Sequence, residues 1–384
     1  MANAFENINW IAAESLTIMT DALVIANLTA RDKTSDWNTV PDGYRKGDSV
    51  RIKTGPDFSV DEFTTAINIQ DIRSSSRTLT IEKHFDVSVE VTAKEMALDF
   101  EGFSREVIAP ASRRLAEKVD QYVGTKILNA HGLYHSTTLL ESAADVASAR
   151  QRATLDQLEP EGRFCLVDDT LEATLLGQTW FNQSQTRGEP GVSSLQSGQM
   201  GRVMGMDFYS SVNFPSAEAA ASGTYGDGTT TTDNTVATDN QIGDTALTVD
   251  STSGTFEAGD HIRIAGVKRP LRVASQVTAT ATSIPLVDPI TEIIPDGAAV
   301  TVVGSGLAFV KRGAIFDSRS MAVAFPVLDA PGDKVASTVS NDGVSIRVVQ
   351  GYDQNSKKTT LSLDLLCGSE IYDPRRVTLL SNDA

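Results

Sequence analysis

The chain of 384 residues has only two cysteines, Cys165 and Cys367, far apart in sequence and outside any CxxC spacing. That excludes a disulfide framework and a zinc ribbon and leaves two thiols expected in the core. Histidine is scarce too. Of His84, His131, His135 and His261, only His131 and His135 have the i,i+4 spacing that presents two nitrogens to a metal, and neither a third ligand nor an HExxH-type base accompanies them. With Gly132 between them to break a helix, they read as a helix-end pair facing solvent. No stretch of about twenty apolar residues occurs, and MANAFENINW has no basic region followed by an apolar run, so neither a membrane span nor an export signal is expected. Positive charge is in deficit: 33 Lys and Arg face 50 Asp and Glu, a formal charge of −17, which disfavours passive adhesion to nucleic acid or anionic membrane and suits a basic partner. Nucleophile elbows, P-loops and GxGxxG turns are missing. Asp168 and Asp169, just before LEATLLG, read as caps of a helix N-terminus rather than as a catalytic pair. No catalytic residue, cofactor or metal site is therefore assigned.

What the chain does contain is a long helix. In FSREVIAPASRRLAEKVDQYVGTKILNA, apolar residues return at Phe103, Val107, Ala111, Leu115, Val119, Val123 and Ile127, while Arg113, Glu117, Asp120 and Gln121 fall on the other face. Pro110 lacks an N–H and predicts a kink or restart, and Gly132 is placed to stop the helix. Before this spine, Asn7 to Asn27 reads as an amphipathic helix with Ile8, Ile11, Leu16, Met19 and Leu23 on one stripe. Glu14 and Asp21 lie together on the opposite side. From Arg77 to Val91 the pattern has period two, which predicts a strand far longer than the usual five or six residues. Paired with Ser49 to Thr54, it would form a hairpin projecting from the domain, its tip GPDFSVDEFTTAINIQDIRSSS and its apolar side covered by another molecule. Lys53 and Lys83 on this arm are read as guards of an exposed strand edge, with cross-linking amines as the alternative.

After the spine, Ser148 to Gly177 reads as an α+β unit. At Ala217 the composition turns rich in Thr, Ser, Gly and Asp until Ser305. Short strands are expected there at Ala246 to Val249, His261 to Ile264, Leu271 to Val273, Ile284 to Val287 and Val300 to Val303, as in a small inserted barrel or sandwich. Two alternating runs, Val344 to Val348 and Leu361 to Leu365, flank YDQNSKK as a closing hairpin expected beside the spine.

This order of elements resembles that of tailed-phage major capsid proteins. PASRRLAEKVDQYV is similar to the start of the spine in coat proteins of short-tailed phages, GRVMGMDFYSSVNFP to their Gly-x-x-x-Gly strand segment, FEAGDHIRIAGV to their inserted domain and LSLDLLCGSEIYDPRRVTLL to their closing strand and turn. The resemblance implies an α+β chain with the Hong Kong 97-type capsid fold. Its expected parts are an N-terminal arm (1–34), an extended β-hairpin loop (45–92), a peripheral-domain spine (93–132), an axial domain in two parts (133–216 and 306–340), an inserted all-β barrel-like domain (217–305) and a peripheral return hairpin with the C-terminus (341–384). It further implies hexamers and pentamers closing an icosahedral head around double-stranded DNA, assembly in the host cytoplasm, a portal protein, and decoration proteins as an optional addition. About 45 residues precede the extended loop, too few for a fused scaffold segment, so a separate scaffolding protein is expected, with Glu14 and Asp21 as its docking residues. A β-rich adhesin or carbohydrate-binding surface protein is the rival reading, motivated by the Thr-rich stretch. A hydrolase using unrecognised carboxylates is the weakest.

Overall fold

A computed structural model describes residues 3–34, 47, 49–53, 76–92, 104–182, 197–198, 200–219, 235–267, 270–303, 309–331, 335–353 and 358–383. The expected tip of the arm, 55–75, lies outside them. The chain divides into two compact units: one of residues 1–52, 77–126 and 321–372, the other of 53–76, 127–320 and 373–384.

In the first unit, strand Lys358–Ile371 is the centre of a sheet. Val344–Asp353 pairs with it on one side, followed by Val335–Asn341, and Lys83–Thr92 pairs with it on the other. Met321–Ala324 runs beside its far end. Alternate residues Leu361, Leu363, Leu365 and Cys367 are buried, as period-two patterning requires. The N-terminal helix, Asn3–Ala22, packs against the 335–353 hairpin and buries Ile8, Ile11, Leu16 and Met19. It ends five residues short of the expected Asn27, and a 3₁₀ turn, Ala26–Leu28, follows.

The spine restarts at its proline as expected. A π-helical turn, Ser104–Ile108, precedes the α-helix Ala109–Ile127, so the wider i→i+5 turn falls where the missing Pro110 N–H would have broken the ladder. Leu115, Val119, Val123 and Ile127 are buried as their stripe predicts. Asp120, assigned to the solvent face, is instead fully buried.

The single long strand expected from Arg77 to Val91 is two strands. Ser76–Thr80 pairs with Ser49–Lys53, Ile81 and Glu82 interrupt the run, and Lys83–Thr92 joins the sheet of the first unit. The alternation continues because both pieces turn one side inward, with Leu79 buried in the first and Phe85, Val87 and Val89 partly buried in the second; pairing partner is not encoded in period. Leu79 packs with Ala322 and Ala324 at the base of the two-stranded arm, with Ile52, Ile81 and Tyr372 around it. Gly368 makes this base possible, since a Cβ there would stand 2.5 Å from the Thr80 carbonyl oxygen.

The second unit is built on a seven-stranded sheet. Its main path runs Gly132–His135, Thr378–Asp383, Phe309–Asp317, Arg163–Val167, Met206–Ser210 and Arg202–Val203, with Ala217–Ala219 paired beside the start of 309–317. Helices Ala143–Leu155 and Asp169–Gly177 supply Val146, Ala149, Leu171 and Leu175 to a core with Cys165, Val167, Met206 and Ile315. Gly132 does not stop the spine, which ends at Ile127. It opens a strand where a Cβ would meet Asp156 Oδ2 at 2.5 Å and the Val377 carbonyl at 2.6 Å.

Residues 235–303 of this unit have a core of their own, including Val236, Leu247, Phe256, Ile262, Val273, Ile284, Ile294 and Val300. All five strands expected there are present, at Ala246–Thr248, His261–Ile264, Leu271–Arg272, Ser283–Pro285 and Val300–Val302. The arrangement is a duplication with pseudo-twofold symmetry. Leu247 pairs with Ile284, its equivalent 37 positions on, and Arg263 with Thr301, 38 positions on. The bridge Val236–Val249 recurs as Val273–Leu286, and Phe256–Val277 recurs as Ile294–Asn240. Gly259 and Gly297, both at positive φ, donate their amides to Val273 and Val236 respectively.

Candidate functional site

The sequence points to arms, so the groups that hold them form the candidate site, and in the first unit both sets lie on the last turns of the spine. The chain leaving the N-terminal helix must satisfy the amides of a new turn, yet Ile25 at its N-cap position has no capping side chain. The acceptor comes from 94 residues further on. Asp120 Oδ2 accepts the Val24 amide at 2.8 Å and Oδ1 accepts the Ala26 amide at 3.0 Å. Burial pushes the Asp120 carboxyl above the usual range, opposed by the amides of Val24, Ala26 and Ile25 and by the Arg31 guanidinium. Beyond this cap the arm is paired residue by residue. Ala30 donates to the Met321 carbonyl at 3.1 Å and accepts from Val323 at 2.9 Å, and Thr34 Oγ1 donates to the Gly343 carbonyl at 3.1 Å and accepts from the Phe325 amide at 3.2 Å. Arg31 reaches the Asp342 carboxylate at 3.3 Å.

The second anchor is Glu82, in the break between the arm strand and the sheet strand. Lys126 Nζ donates to its Oε1 at 2.9 Å and the Tyr122 hydroxyl to its Oε2 at 3.2 Å. The Lys126 bond is the chief cause holding the Glu82 carboxyl below its usual range. Burial, first, raises the Tyr122 phenol, whose hydroxyl also takes the Ser369 amide. The Tyr122 ring meets Phe85 edge-on at 6.2 Å, which ties the start of the sheet strand to the same turn. This is the closing sheet beside the spine that the sequence led one to expect.

The residues singled out from sequence fall as follows. Glu14 is half-buried and Asp21 exposed, two turns apart on the N-terminal helix. Asp168 caps Asp169–Gly177, its Oδ1 accepting the Leu171 amide at 2.8 Å while Arg312 approaches Oδ2 at 3.2 Å; Asp169 accepts the Thr170 amide at 3.0 Å. The solvent-facing histidine pair is a misreading. His131 is 2% exposed with Nε2 3.3 Å from Asp288, and His135 lies on a strand with Nε2 3.2 Å from Asp383. Lys83 is exposed. Among the described residues there is no group of three metal-capable side chains and no helix long and apolar enough to cross a membrane. Asp120, Glu82, Tyr122 and Lys126 were not legible as anchors; the one available signal was a carboxylate and a tyrosine bordering an otherwise regular apolar stripe.

The chain matches no protein-family model, and no curated protein matches it by sequence. Solved structures do resemble it. A chain from Mycobacterium phage Che8 is 13% identical with a TM-score of 0.52, over 93% of this chain and 90% of that one. The capsid of a native GTA particle, 8% identical, gives a TM-score of 0.47 over 88% and 86%. The capsid of Ralstonia phage GP4, 10% identical, gives 0.44 over 88% and 84%. The likeness to the Che8 chain spans nearly all of both chains and is one of fold. The architecture is the Hong Kong 97-type capsid fold, α+β with a long spine helix.

Proposed function

We propose that the chain is the major capsid protein of a tailed phage, a building block whose copies form hexamers and pentamers and close into an icosahedral head around double-stranded DNA. The observation that carries this reading is the fold itself together with a spine that grips two arms by their roots. A protein that works by geometry needs arms held at fixed angles, because each subunit then gains apolar burial only in company, at about 25 cal/mol per Å² before the costs of association. The formal charge of −17 suits a lining that does not trap DNA. On this reading the protein does no bond chemistry and binds no cofactor or membrane. It assembles in the host cytoplasm with a separate scaffolding protein and a portal, decoration proteins being optional, and ends in the virion. Its parts are the N-terminal arm 1–34, the extended loop 45–92, the spine region 93–132, the axial parts 133–216 and 306–340, the inserted domain 217–305 and the return segment 341–384.

Negative-stain microscopy of the protein expressed alone and with its scaffold tests the proposal: shells or shell fragments are expected, and uniformly monomeric particles under both conditions would overturn it. Glu14 and Asp21 are the proposed scaffold contacts. Exposed ion pairs contribute about 0.2–1 kcal/mol each, so the double reversal Glu14→Lys with Asp21→Lys is the informative variant. It should weaken scaffold binding to immature shells at low salt, and 1 M salt should weaken wild-type binding likewise. Undiminished binding by a stably folded double variant returns this face to solvent.

A further inference from the structure

The duplication in 235–303 separates residues the small module needs from residues it does not. Equivalent positions share their chemistry where the core is built: Leu247 and Ile284, Val249 and Leu286, Ile262 and Val300 are all buried, and Gly259 and Gly297 make the same turn. One pair of equivalent positions differs sharply. His261 pairs with Arg272 on adjacent strands, and the symmetry-related pair is Ala299 with Thr235; Arg263, next on the same strand face, corresponds to Thr301. The module's fold therefore forms without a histidine or arginine at these positions, since its other half does so.

All three long side chains reach something outside the repeat, although Arg272 Nε also donates to the Gly259 carbonyl at 3.2 Å within it. His261 Nδ1 lies 2.7 Å from the carbonyl oxygen of His131, Arg263 donates to the carbonyl of Leu133 at 2.9 Å, and Arg272 donates to the carbonyl of Asn129 at 3.3 Å. These are alternate carbonyls of the stretch that leads from the spine into strand Gly132–His135. We infer that this face is a clamp docking the duplicated module onto residues 129–133, and that the clamp opens in acid through protonation of His261.

The geometry dictates the second half of that statement. Because Nδ1 faces a carbonyl it must carry the proton, so in the neutral ring Nε2 is a bare acceptor, and that atom is buried with no hydrogen-bond partner among the described residues. A proton added there creates a charge in a site 2% exposed. The charges around it are Lys311 from strand 309–317, Arg272 from the neighbouring strand and His131 from the docking stretch, with Asp260 acting on Lys311 and Asp288 on His131 and Arg272. Burial, then Lys311, hold the docked imidazole well below its ordinary value of 6.5, although the His131 carbonyl favours the charged ring. Lys311 is itself lowered to about 8, burial being the main cause. The sign follows. A histidine with a depressed docked pKa and an ordinary undocked one supports docking fully above pH 6.5 and progressively less below it. The docking equilibrium falls by about tenfold per pH unit until the docked pKa is reached.

Hydrogen exchange of the full chain between pH 7.5 and 5, corrected for the intrinsic rate, reads this directly. Wild-type peptides covering 129–136 and 259–274 should lose protection by about tenfold for each unit below 6.5, while peptides covering 244–250 and 282–287 keep theirs. In His261→Ala, which copies the twin position, docking protection should drop by about tenfold at pH 7.5 and no longer depend on pH. Lys311→Met should raise the docked imidazole pKa, so that the acid loss of protection levels off at a higher pH than in wild type. Loss of protection inside the module in His261→Ala would refute the division between module core and clamp. An acid slope that persists in His261→Ala would overturn the assignment of the switch.

Discussion

Replacing Asp120 is the sharpest test of how the N-terminal arm is held. In Asp120→Ala, the amides of Val24 and Ala26 lose acceptors now at 2.8 and 3.0 Å, inside a site where the carboxylate has no exposure. Each buried donor left unsatisfied costs about 1–3 kcal/mol, partly offset because a carboxylate no longer has to be buried, so a net loss of about 2–4 kcal/mol in arm docking is expected. Asp120→Asn keeps one oxygen and turns an NH₂ toward the second amide, and its loss should fall between alanine and wild type. Release of the arm exposes the bonds after Arg31 and Lys33, so limited trypsin digestion at pH 7.5 reports local opening. Where reclosing outpaces cleavage, 2–4 kcal/mol corresponds to cutting about 30 to 1000 times faster in the alanine variant. The pH dependence has an unfamiliar sign. Because the docked Asp120 pKa is raised, the docked arm takes up a proton that the free arm has already lost, so docking strengthens as pH falls through the docked value towards 3.8. By hydrogen exchange, wild type should gain arm protection relative to Asp120→Asn between pH 7 and 4. Unchanged cleavage in Asp120→Ala would refute the cap, and a relative loss of protection in acid would refute the burial argument.

Two further outcomes follow from the arm and the module. Deleting Gly55 to Ser75 should leave a folded chain, since the arm's root is fixed by Leu79, Gly368 and Glu82, yet abolish assembly; size-exclusion chromatography with circular dichroism would expose a folding defect instead. Residues Ser222 to Gly304 should give a dispersed amide spectrum when expressed alone, because their core is drawn from the duplicated repeat, and a collapsed spectrum would show that the module needs its host.

The parts of the fold that could be read from sequence are those decided by local pattern. The spine's stripe, the break at Pro110, the cap at Asp168 and all five module strands depend on residues within a few positions of one another. What escaped reading depends on partners far along the chain. The period of Arg77 to Val91 is the same whether its partner is the arm or Lys358–Ile371, and only the partner decides where the arm begins. Asp120 has the polarity of a solvent face but meets a demand for acceptors raised 94 residues earlier. Gly132 looked like a helix stop because a close carbonyl and carboxylate leave no trace in its neighbours. The duplication was detectable in principle, as ALTV and SIPL stand before AGDHIRI and DGAAVTV at nearly constant spacing, but little beyond its buried positions and one glycine is alike.

The anchors also predict that the two arms communicate. At 100° per residue Asp120 and Tyr122 point to roughly opposite sides of the spine, while Lys126 returns to within about 40° of Tyr122. One side therefore grips the N-terminal arm and the other the root of the hairpin, within two turns of a single helix. A rigid helix cannot rotate to relax one grip without moving the other, so any reorientation of the spine shifts both arms together. Additivity is expected for independent sites and fails for coupled ones. A double-mutant cycle of Asp120→Asn with Lys126→Met, read as trypsin cleavage after Arg31, should show a coupling of at least about 0.5 kcal/mol, with Lys126→Met alone altering cleavage of an arm it does not touch. Strict additivity, with no effect of Lys126→Met on that cleavage, would mean that the helix flexes between the two grips and that each arm is set independently.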